Sequence, residues 1–249
     1  MIPYQRKKFI LNKLSNDNIT HLEEIYSWFG NISESTLRRD LKSLENEGRV
    51  QLLRGGGVKP IGDKVEDIPN EIKKSINIEK KEKIARYAAS LIEDGEVIYL
   101  DTGTTCLFIL DFIDYNKKIT IVTANVDIIN RVRNHLNNIK LICIGGEFDG
   151  VNGSLAGTLA EDNLSKLYFD KAFVGGTSIN YISGVSTPEL KEARKKQIAN
   201  LNSGESYCLI DSSKFNKFSM CSVFSLDVCN IITDKYDSLL DKCNSYIIA

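Results

Sequence analysis

Two groups of side chains in this 249-residue sequence have types and spacings that could do chemistry. The first combines the cationic side chains of Arg38, Arg39 and Lys42 with hydroxyl side chains immediately before them. A guanidinium can bind a phosphate or a guanine edge through two hydrogen bonds, and short hydroxyls suit phosphates and base edges. A solvated surface helix would carry the same charges, so this group alone leaves both interpretations open. The candidates for DNA contact are Ser33, Ser35, Thr36, Arg38, Arg39 and Lys42.

The second group lies at the ends of apolar segments further along the chain. Gly103, Thr104 and Thr105 follow one such segment, and hydroxyls together with the free amides of a helix start can hold a phosphate. No Gly-Lys-Ser/Thr sequence follows, so a nucleoside triphosphate is not expected. A tight turn would explain one such loop, whereas several at one edge of a sheet favour a site for a small phosphorylated, hydroxyl-rich molecule. The other strand ends contribute Asn125, Gly145, Gly146 and Lys214, whose ammonium could neutralise an anion.

A helix from Ser33 to Gly48 must position the first group. Ser33 is a good N-cap and Gly48 a good residue just after a helix. Leucines at 37, 41 and 44 recur at helical spacing and predict a buried face. Two earlier helices are predicted, one from Pro3 to about Leu14 and a short one capped by Thr20. The inner face of the short helix is predicted to carry Leu22, Ile25, Tyr26 and Phe29.

Two short helices joined by a tight turn, the second of them basic, form a helix-turn-helix. A strand over residues 49–53, a glycine turn at 55–57 and a return strand from Val58 then predict a wing. The three glycines alone would indicate only a flexible loop, but their place directly after a helix-turn-helix favours the wing. Its turn would approach phosphates or the minor groove through Arg54, Gly55 and Gly56.

The remainder of the chain predicts a second domain behind a charged, proline-containing linker. We expect a DNA-binding domain at residues 1–58, a linker at 59–78 and an effector domain at 79–249. A helix from about Glu79 is followed by alternating strands and helices, which indicates a mostly parallel, Rossmann-like α/β sheet. Strands are expected at 97–100, 119–122, 140–144, 171–174, 206–210 and 230–233, and helices at 105–112, 127–136, 158–167, 188–201 and 236–242.

Composition is compatible with this division. The net charge is −1, but residues 1–60 hold ten Lys/Arg and seven Asp/Glu, against 22 and 26 in the remainder. The six cysteines form no C-x-x-C pair and have no histidine nearby, so we expect buried thiols, with neither disulfides nor a metal site and no cofactor. The chain shows no signal peptide and no apolar run of membrane-spanning length, and we expect a cytoplasmic protein.

The run TLRRDLKSLENEGRVQLLRGGGV, within residues 32–59, resembles the DeoR family of bacterial transcriptional regulators. That family pairs Thr-Ile/Leu-Arg-Arg-Asp-Leu with a Leu-Glu-x-x-Gly step, an arginine and a Gly-Gly wing. This sequence departs from the commonest family pattern at the wing, where Arg54 occupies the position usually held by a histidine. The resemblance implies a winged helix-turn-helix that binds operator DNA.

The second half resembles the effector domain of the same family, which is similar to sugar-phosphate isomerases of the ribose-5-phosphate isomerase type. The segments that carry this resemblance are DTGTT, GGEF, FDKAFVGGTSIN, GVSTPE and DSSKF. The resemblance implies a sugar phosphate or related metabolite as effector. The effector-binding positions that it implies are Asp101, Gly103, Thr104, Thr105, Asn125, Gly145, Gly146, Gly157 and Lys214.

An isomerase or deaminase with an accessory DNA-binding head is the alternative. Such chemistry needs a general base within reach of the substrate. The loop at 175–180 contains no carboxylate, and of the two histidines His21 belongs to the head and His135 to a polar helix end. Glu189 and Glu192 lie on a lysine-rich helix, where glutamates are usually solvated. We therefore expect no catalytic residues and no turnover, and a repressor of a carbohydrate operon that acts as a homodimer or homotetramer on symmetric half-sites.

Overall fold

The computed structural model describes residues 2–14, 19–30, 32–46, 49–60, 63–65, 68–133, 138–228 and 230–249. The described residues among the first sixty form a small head of three helices and three strands. Its apolar core consists of Ile10, Ile25, Leu37, Leu41, Leu44, Val50 and Val58, with Leu14 and Phe29 at its edge. The elements of the head are α1 Pro3–Lys13, β1 Thr20–His21, α2 Leu22–Ser27, α3 Glu34–Asn46, β2 Val50–Leu52 and β3 Gly57–Pro60.

Helix α3 forms as its sequence predicts. The Oγ of Ser33 accepts a hydrogen bond from the backbone amide of Thr36 at 3.3 Å, so the predicted N-cap is confirmed. The three leucines of its apolar face are buried, as predicted. Asp40 is also buried, where it accepts a hydrogen bond of 2.6 Å from the guanidinium of Arg6 on α1. This ion pair attaches α3 to α1. Gly48, the predicted end of the helix, lies outside the described residues.

The start of α2 differs from the prediction. Thr20 does not cap the helix, because it belongs to β1 and pairs with Val58 in an antiparallel ladder. The amide of Leu22 is satisfied instead by the carbonyl of Gly56 at 2.9 Å. The wing is therefore a three-stranded sheet of order β1-β3-β2. Tyr26, predicted to face inward, is 41% exposed.

The body contains a seven-stranded sheet of order β17-β16-β13-β10-β5-β6-β7, and every pairing in it is parallel. The six predicted strands are confirmed. Ser245–Ile248 adds a seventh that the sequence did not indicate. Up to the end of the central strand β10, the elements are β4 Asp63–Lys64, α4 Asn70–Ser75, α5 Ile78–Ser90, β5 Val97–Leu100, α6 Thr104–Ile109, β6 Ile119–Thr123, α7 Val126–Val132, β7 Ile139–Cys143, β8 Glu147–Asp149, β9 Ser154–Ala156, α8 Thr158–Leu164 and β10 Phe169–Gly175.

The remaining elements complete this sheet and add a separate antiparallel sheet of three strands. They are β11 Ser178–Asn180, β12 Gly184–Thr187, α9 Leu190–Leu201, β13 Ser203–Leu209, β14 Lys217–Phe218, β15 Cys221–Phe224, β16 Asn230–Thr233 and β17 Ser245–Ile248. The helix predicted at 236–242 is a short 3₁₀ helix, Ser238–Lys242. One apolar core packs α8 and α9 against the sheet, and a second packs α5, α6 and α7 against its other face. In the part of the chain that the structure describes, no helix is long and apolar enough to cross a membrane.

A tight turn connects the antiparallel strands β11 and β12. Asn180 closes this turn, because its Oδ1 accepts hydrogen bonds from the amides of Ile182 and Ser183. Gly184 then adopts a φ of +62°, and a Cβ there would lie 2.0 Å from the carbonyl oxygen of Phe224. Only glycine fits this position.

Gly184→Ala should therefore destabilise the body by at least about 2 kcal/mol, since it combines left-handed strain with a steric clash. Chemical denaturation monitored by circular dichroism measures the change. Gly150→Ala is the matched control, because its Cβ would meet only Phe148 at an ordinary 3.7 Å. Equal stability of the two variants would contradict this account of the turn.

Candidate functional site

The DNA-contacting candidates on α3 lie on one exposed surface of the head. The side chains of Ser35, Arg38, Arg39 and Lys42 are all exposed, opposite the buried leucines. Arg38 forms an ion pair of 2.7 Å with Glu34, and Lys42 one of 2.6 Å with Glu45. Exposed pairs of this kind contribute little to stability, so both cations can exchange their carboxylate for a phosphate at low cost.

The hydroxyls at the start of α3 form a cluster of their own. The Oγ of Ser33 lies 3.0 Å from the Oγ of Ser35 and 2.8 Å from the Oγ1 of Thr36. Ser33 thereby caps the helix, and both Ser33 and Ser35 are exposed, whereas Thr36 is half-buried.

The turn of the wing lies beside the beginning of α3. Gly55 and Gly56 both adopt positive φ angles, +91° and +84°, which explains the glycines there. They line a cleft of about 480 Å³ together with Arg38 and His21. Arg54 is exposed in the same turn. The fold therefore brings the predicted wing residues and the predicted helix residues to one surface.

A second cavity, of about 250 Å³, lies at the carboxyl ends of the central strands of the body. Gly103, Thr104, Thr105 and Lys214 line it, as a ligand site at this edge predicts. Gly103 has an ordinary φ, but a Cβ on it would lie 3.4 Å from the Cα of Gly175, so two backbones approach closely here. The polar residues of the wall that the sequence did not single out are Asn70, Lys73, Asn77, Lys81, Asn152, Thr177, Thr187, Lys196, Asp211, Ser213 and Lys217.

Lysines dominate the charge of this cavity. Among the described residues, its wall carries five lysines, at 73, 81, 196, 214 and 217, and two carboxylates, Glu192 and Asp211. Burial and the nearby Lys214 lower the pKa of Lys81 to about 8. Burial also lowers the pKa of Lys214, although Asp211 opposes the shift. The unliganded cavity therefore holds crowded positive charge that an anion would relieve.

Glu192 lies at the floor of the cavity and is only 5% exposed, contrary to the expectation of a solvated glutamate. Its carboxylate accepts hydrogen bonds from Thr102 at 2.6 Å and Ser154 at 2.8 Å. Lys195 lies 2.7 Å and Lys196 3.8 Å from it. Burial alone would raise the pKa of Glu192, but these two lysines outweigh burial and lower it to about 2. Glu189, the other candidate base, is exposed.

Asp101 does not line the cavity, but it organises the residues that do. Its buried carboxylate accepts a hydrogen bond of 2.8 Å from the amide of Gly175 and forms an ion pair with Lys196. The ends of β5 and β10 and the start of the Thr104 helix are thereby held together. Asp101 is thus a positioning residue.

Four further sequence candidates also lie outside the cavity wall, in structural roles. Asn125 is buried and caps α7, with its Oδ1 accepting from the amides of Asp127 at 2.9 Å and Ile128 at 3.3 Å. A Cβ on Gly146 would lie 2.6 Å from the carbonyl oxygen of Ala156. Gly145 and Gly157 also adopt positive φ angles, +71° and +90°. The structure therefore brings four of the nine effector candidates together in the wall.

One signal could have identified some of the missed residues. On α9, Glu192, Lys195, Lys196 and Ala199 recur at the spacing i, i+3, i+4, i+7, which is the spacing of a buried face. Their charges concealed that face, because charged residues are rarely buried unless they are paired. No comparable signal marks Asn70 or Lys73 in the predicted linker.

His21 is exposed at the wing, and His135 lies outside the described residues. Of the cysteines, Cys106 and Cys208 are buried, Cys143 is exposed, and Cys229 lies outside the described residues. Within the described ranges, no group of three or more His, Cys, Asp or Glu side chains is arranged to hold a metal ion.

The depressed pKa of Lys81 gives the cavity a pH dependence. Lys81 loses its proton near pH 8, so affinity for a phosphomonoester, already dianionic above its own pKa of about 6, should fall by up to about tenfold per pH unit above 8. The unliganded protein should change in the opposite sense. The pKa of Lys81 is lower in the folded state than in the unfolded state, so the contribution of Lys81 to stability rises between pH 8 and 10.5.

Calorimetric titration of a sugar phosphate between pH 7 and 9.5 measures this effect. Lys81→Gln should bind more weakly and lose this fall in affinity. An affinity of the wild type that stays constant up to pH 9.5 would contradict the assignment of Lys81 to the anion site.

Comparison with known proteins agrees with this architecture. The family model described as DeoR-like helix-turn-helix domain matches residues 6–60, and the model described as DeoR C terminal sensor domain matches residues 76–235. The uncharacterized HTH-type transcriptional regulator FruR of Bacillus subtilis is 33% identical over 240 residues, which cover 96% of this chain and 94% of the relative. The lactose phosphotransferase system repressor of Lactococcus lactis is 33% identical over 216 residues, which cover 86% of this chain and 84% of the relative.

Among solved structures, ribose 5-phosphate isomerase A from Methanocaldococcus jannaschii is 22% identical and covers 56% of this chain and 55% of its own, with a TM-score of 0.40. The two family models together account for both the head and most of the body. The relatives of similar length are named as transcriptional regulators or repressors. The chain belongs to the DeoR family of HTH-type transcriptional regulators.

Proposed function

We propose that this DNA-binding regulator is a repressor of a carbohydrate operon and that a phosphorylated sugar bound in the cavity of the body modulates its hold on the operator. The observation that carries the proposal is the lysine-rich cavity at the carboxyl edge of the sheet, in the same chain as the exposed basic helix. Relatives named as a lactose phosphotransferase system repressor support the sugar and the repressing role.

The head supplies two kinds of DNA contact in this proposal. Arg39 and Lys42 suit the phosphate backbone, while Ser35 and Arg38 near the start of the helix suit base edges in the major groove. The wing turn, with Arg54 and its two left-handed glycines, approaches the adjacent backbone. Two copies on a symmetric operator would place two such heads one helical turn apart, so we propose a homodimer or a homotetramer.

The wall of the cavity suits a sugar phosphate in two respects. Its lysines outnumber its carboxylates, which favours a doubly charged phosphate. Threonine hydroxyls and asparagine amides line the same space and can pair with the hydroxyls of a sugar, as at Thr177, Thr187 and Asn152. A volume of about 250 Å³ is close to the lower end of the range for small-molecule sites.

Binding without turnover is the better account of this cavity. Aldose–ketose isomerisation needs a base whose pKa lies near the working pH. Glu192 is one of two described carboxylates in the wall, and its pKa of about 2 makes it a weak base. Its hydrogen bonds to Thr102 and Ser154 and its contacts with two lysines further hold it in place as a structural anion.

The DNA surface can be tested with arginine variants. Arg39→Ala should weaken binding to an operator fragment by about 1–3 kcal/mol and reduce the slope of log K against log salt by about 1, because one phosphate contact is lost. A gel-shift titration at several salt concentrations, on DNA selected by the wild-type protein, measures both values.

Arg194→Ala is the matched control for this experiment, because Arg194 is an exposed arginine on α9 of the body. If Arg39→Ala and Arg194→Ala retained the same affinity and salt slope as the wild type, the basic surface of α3 would not be the DNA interface.

The effector site can be tested at Lys214. Lys214→Gln removes one positive charge from the cavity while retaining a donor for the carbonyl oxygen of Gly176, which Lys214 contacts at 2.7 Å. Affinity for the sugar phosphate that most raises the melting temperature of the wild type should fall about tenfold or more. DNA affinity without effector should not change. Lys166→Gln, at an exposed lysine, is the control.

Incubation of the wild type with a panel of sugar phosphates tests turnover. The NMR spectrum of each sugar phosphate should stay unchanged during prolonged incubation. Steady conversion of any one of them, lost in Glu192→Gln, would establish the enzymatic alternative.

A further inference from the structure

One wall of the effector cavity does not come from the α/β sheet at all. It comes from the connecting segment, which we define as the described residues 63–65 and 68–78 between the wing and helix α5. The residues of this segment that line the cavity are Val65, Ile68, Asn70, Lys73, Ile76 and Asn77. A stretch whose sequence indicates only a linker thus forms part of a binding site.

The first half of the connecting segment is attached to the body through the backbone. Strand β4 pairs in parallel with β14, and the amide of Val65 donates to the carbonyl of Phe218 at 2.8 Å. Further on, Asn70 is 6% exposed and its amide donates to the carbonyl of Val151 at 3.1 Å. The side chain of Asn70 reaches the carbonyl of Thr102 at 3.2 Å. The segment is therefore bonded directly to the loop that precedes Gly103.

The second half of the segment contacts another wall of the cavity. Asn77 adopts a left-handed conformation with a φ of 54°, and its Nδ2 donates to the Oγ of Ser213 at 2.9 Å. The buried ammonium of Lys81 donates to the carbonyl of Lys73. Lys74 faces away from the cavity and forms an ion pair of 2.8 Å with Asp127. The two neighbouring lysines of α4 thus differ in role, since only Lys73 lines the site.

Charge explains why an anion would engage the segment. Lys73, Lys81 and Lys214 all line the cavity, and the charge of Lys73 contributes to the lowered pKa values of Lys81 and Lys214. A phosphate among the three would turn this repulsion into attraction and draw Lys73 toward the body.

The segment is also the covalent route to the head. Strand β3 of the wing ends at Pro60 and β4 begins at Asp63, so two residues separate the wing from the first strand attached to the body. Lys59 of the wing additionally places its ammonium 4.7 Å from the centre of the Tyr181 ring of the body. A shift of β4 would therefore be passed on to the wing, because two residues are too few to act as a flexible linker.

We propose that the connecting segment is part of the effector site, with Lys73 contacting the anionic group of the effector, and that the segment relays occupancy of the cavity to the wing. The inference rests on the proposed function, because it concerns the same cavity. Among the described residues, a two-residue strand pair, isolated backbone bonds and side-chain bonds attach the segment, while Ile72 of α4 and Ile76 directly after it are exposed. Such a segment opens at low cost, and a ligand that binds only the closed arrangement shifts its population.

The first test compares two neighbouring lysines with inorganic phosphate as the probe. Lys73→Gln should weaken phosphate binding about tenfold, the loss expected for one charge-assisted hydrogen bond, and Lys74→Gln should change it less than about twofold. Competition between phosphate and a fluorescent sugar-phosphate analogue measures the affinities. Equal affinities of Lys73→Gln and wild type would overturn the inference while leaving the effector site in the body intact.

The second test follows hydrogen–deuterium exchange of the full-length wild type with and without phosphate. We expect slower exchange in three places: the loop at 102–105, the connecting segment, and the wing strands at 50–60. Protection of the loop alone would overturn the inference but leave the proposed function standing. Protection of loop and segment without the wing would overturn the relay. No protection anywhere would contradict the proposed effector site and the inference with it.

Discussion

The body of this protein depends on a buried network of opposite charges between α9 and the strand ends of the sheet. Asp101 and Glu192 are the carboxylates, and Lys195 and Lys196 the ammonium groups that neutralise them. Buried charges are costly unless each is paired and hydrogen-bonded, so the network allows essentially one arrangement of the groups around it. The amide of Gly175 and the hydroxyl of Thr102 complete it. The loop of Gly103 is thereby held against β10, where the cavity opens.

The same network supports the proposal that the cavity binds a ligand without turnover. A carboxylate whose pKa is lowered to about 2 holds its negative charge at neutral pH and attracts a proton weakly. Glu192 therefore serves to keep two lysines in place. Among the described residues of the cavity wall, lysines outnumber carboxylates, which favours an anionic ligand. Lys195 and Lys196 thus pair with buried carboxylates, whereas the other lysines of the wall carry the charge that an anion would meet.

The head and the body are joined by a segment that belongs to both. It begins two residues after the wing, bonds to the loop of Thr102 through Asn70 and ends at the start of α5. Regulation by a metabolite requires an element that has two arrangements and that contacts both sites. The connecting segment meets the geometric part of this requirement. Helix α3 shares an apolar core with the wing strands, and its buried Asp40 attaches it to α1.

Much of the architecture could be predicted from local patterns. Helical spacing of leucines located α3, alternation of apolar strands with helices located six strands of the parallel sheet, and DeoR-type motifs located the DNA and effector regions. Thr20 was predicted wrongly because its local preference for a helix cap was outweighed by a backbone ladder with Val58, 38 residues away. The seventh strand, Ser245–Ile248, becomes a strand through its pairing with β16.

Only part of the cavity wall could be predicted from the sequence. Gly103, Thr104, Thr105 and Lys214 could be assigned because strand ends of a parallel sheet must meet at one edge. The sequence by itself determined the family, the parallel sheet and the basic helix α3, since periodicity and short motifs reflect the requirements of local structure. Only the tertiary structure decided that Glu192 is buried and that Lys73 and Asn70 line the site. The environment of a charged side chain is set by partners distant in sequence, and burial is favourable only when those partners neutralise it.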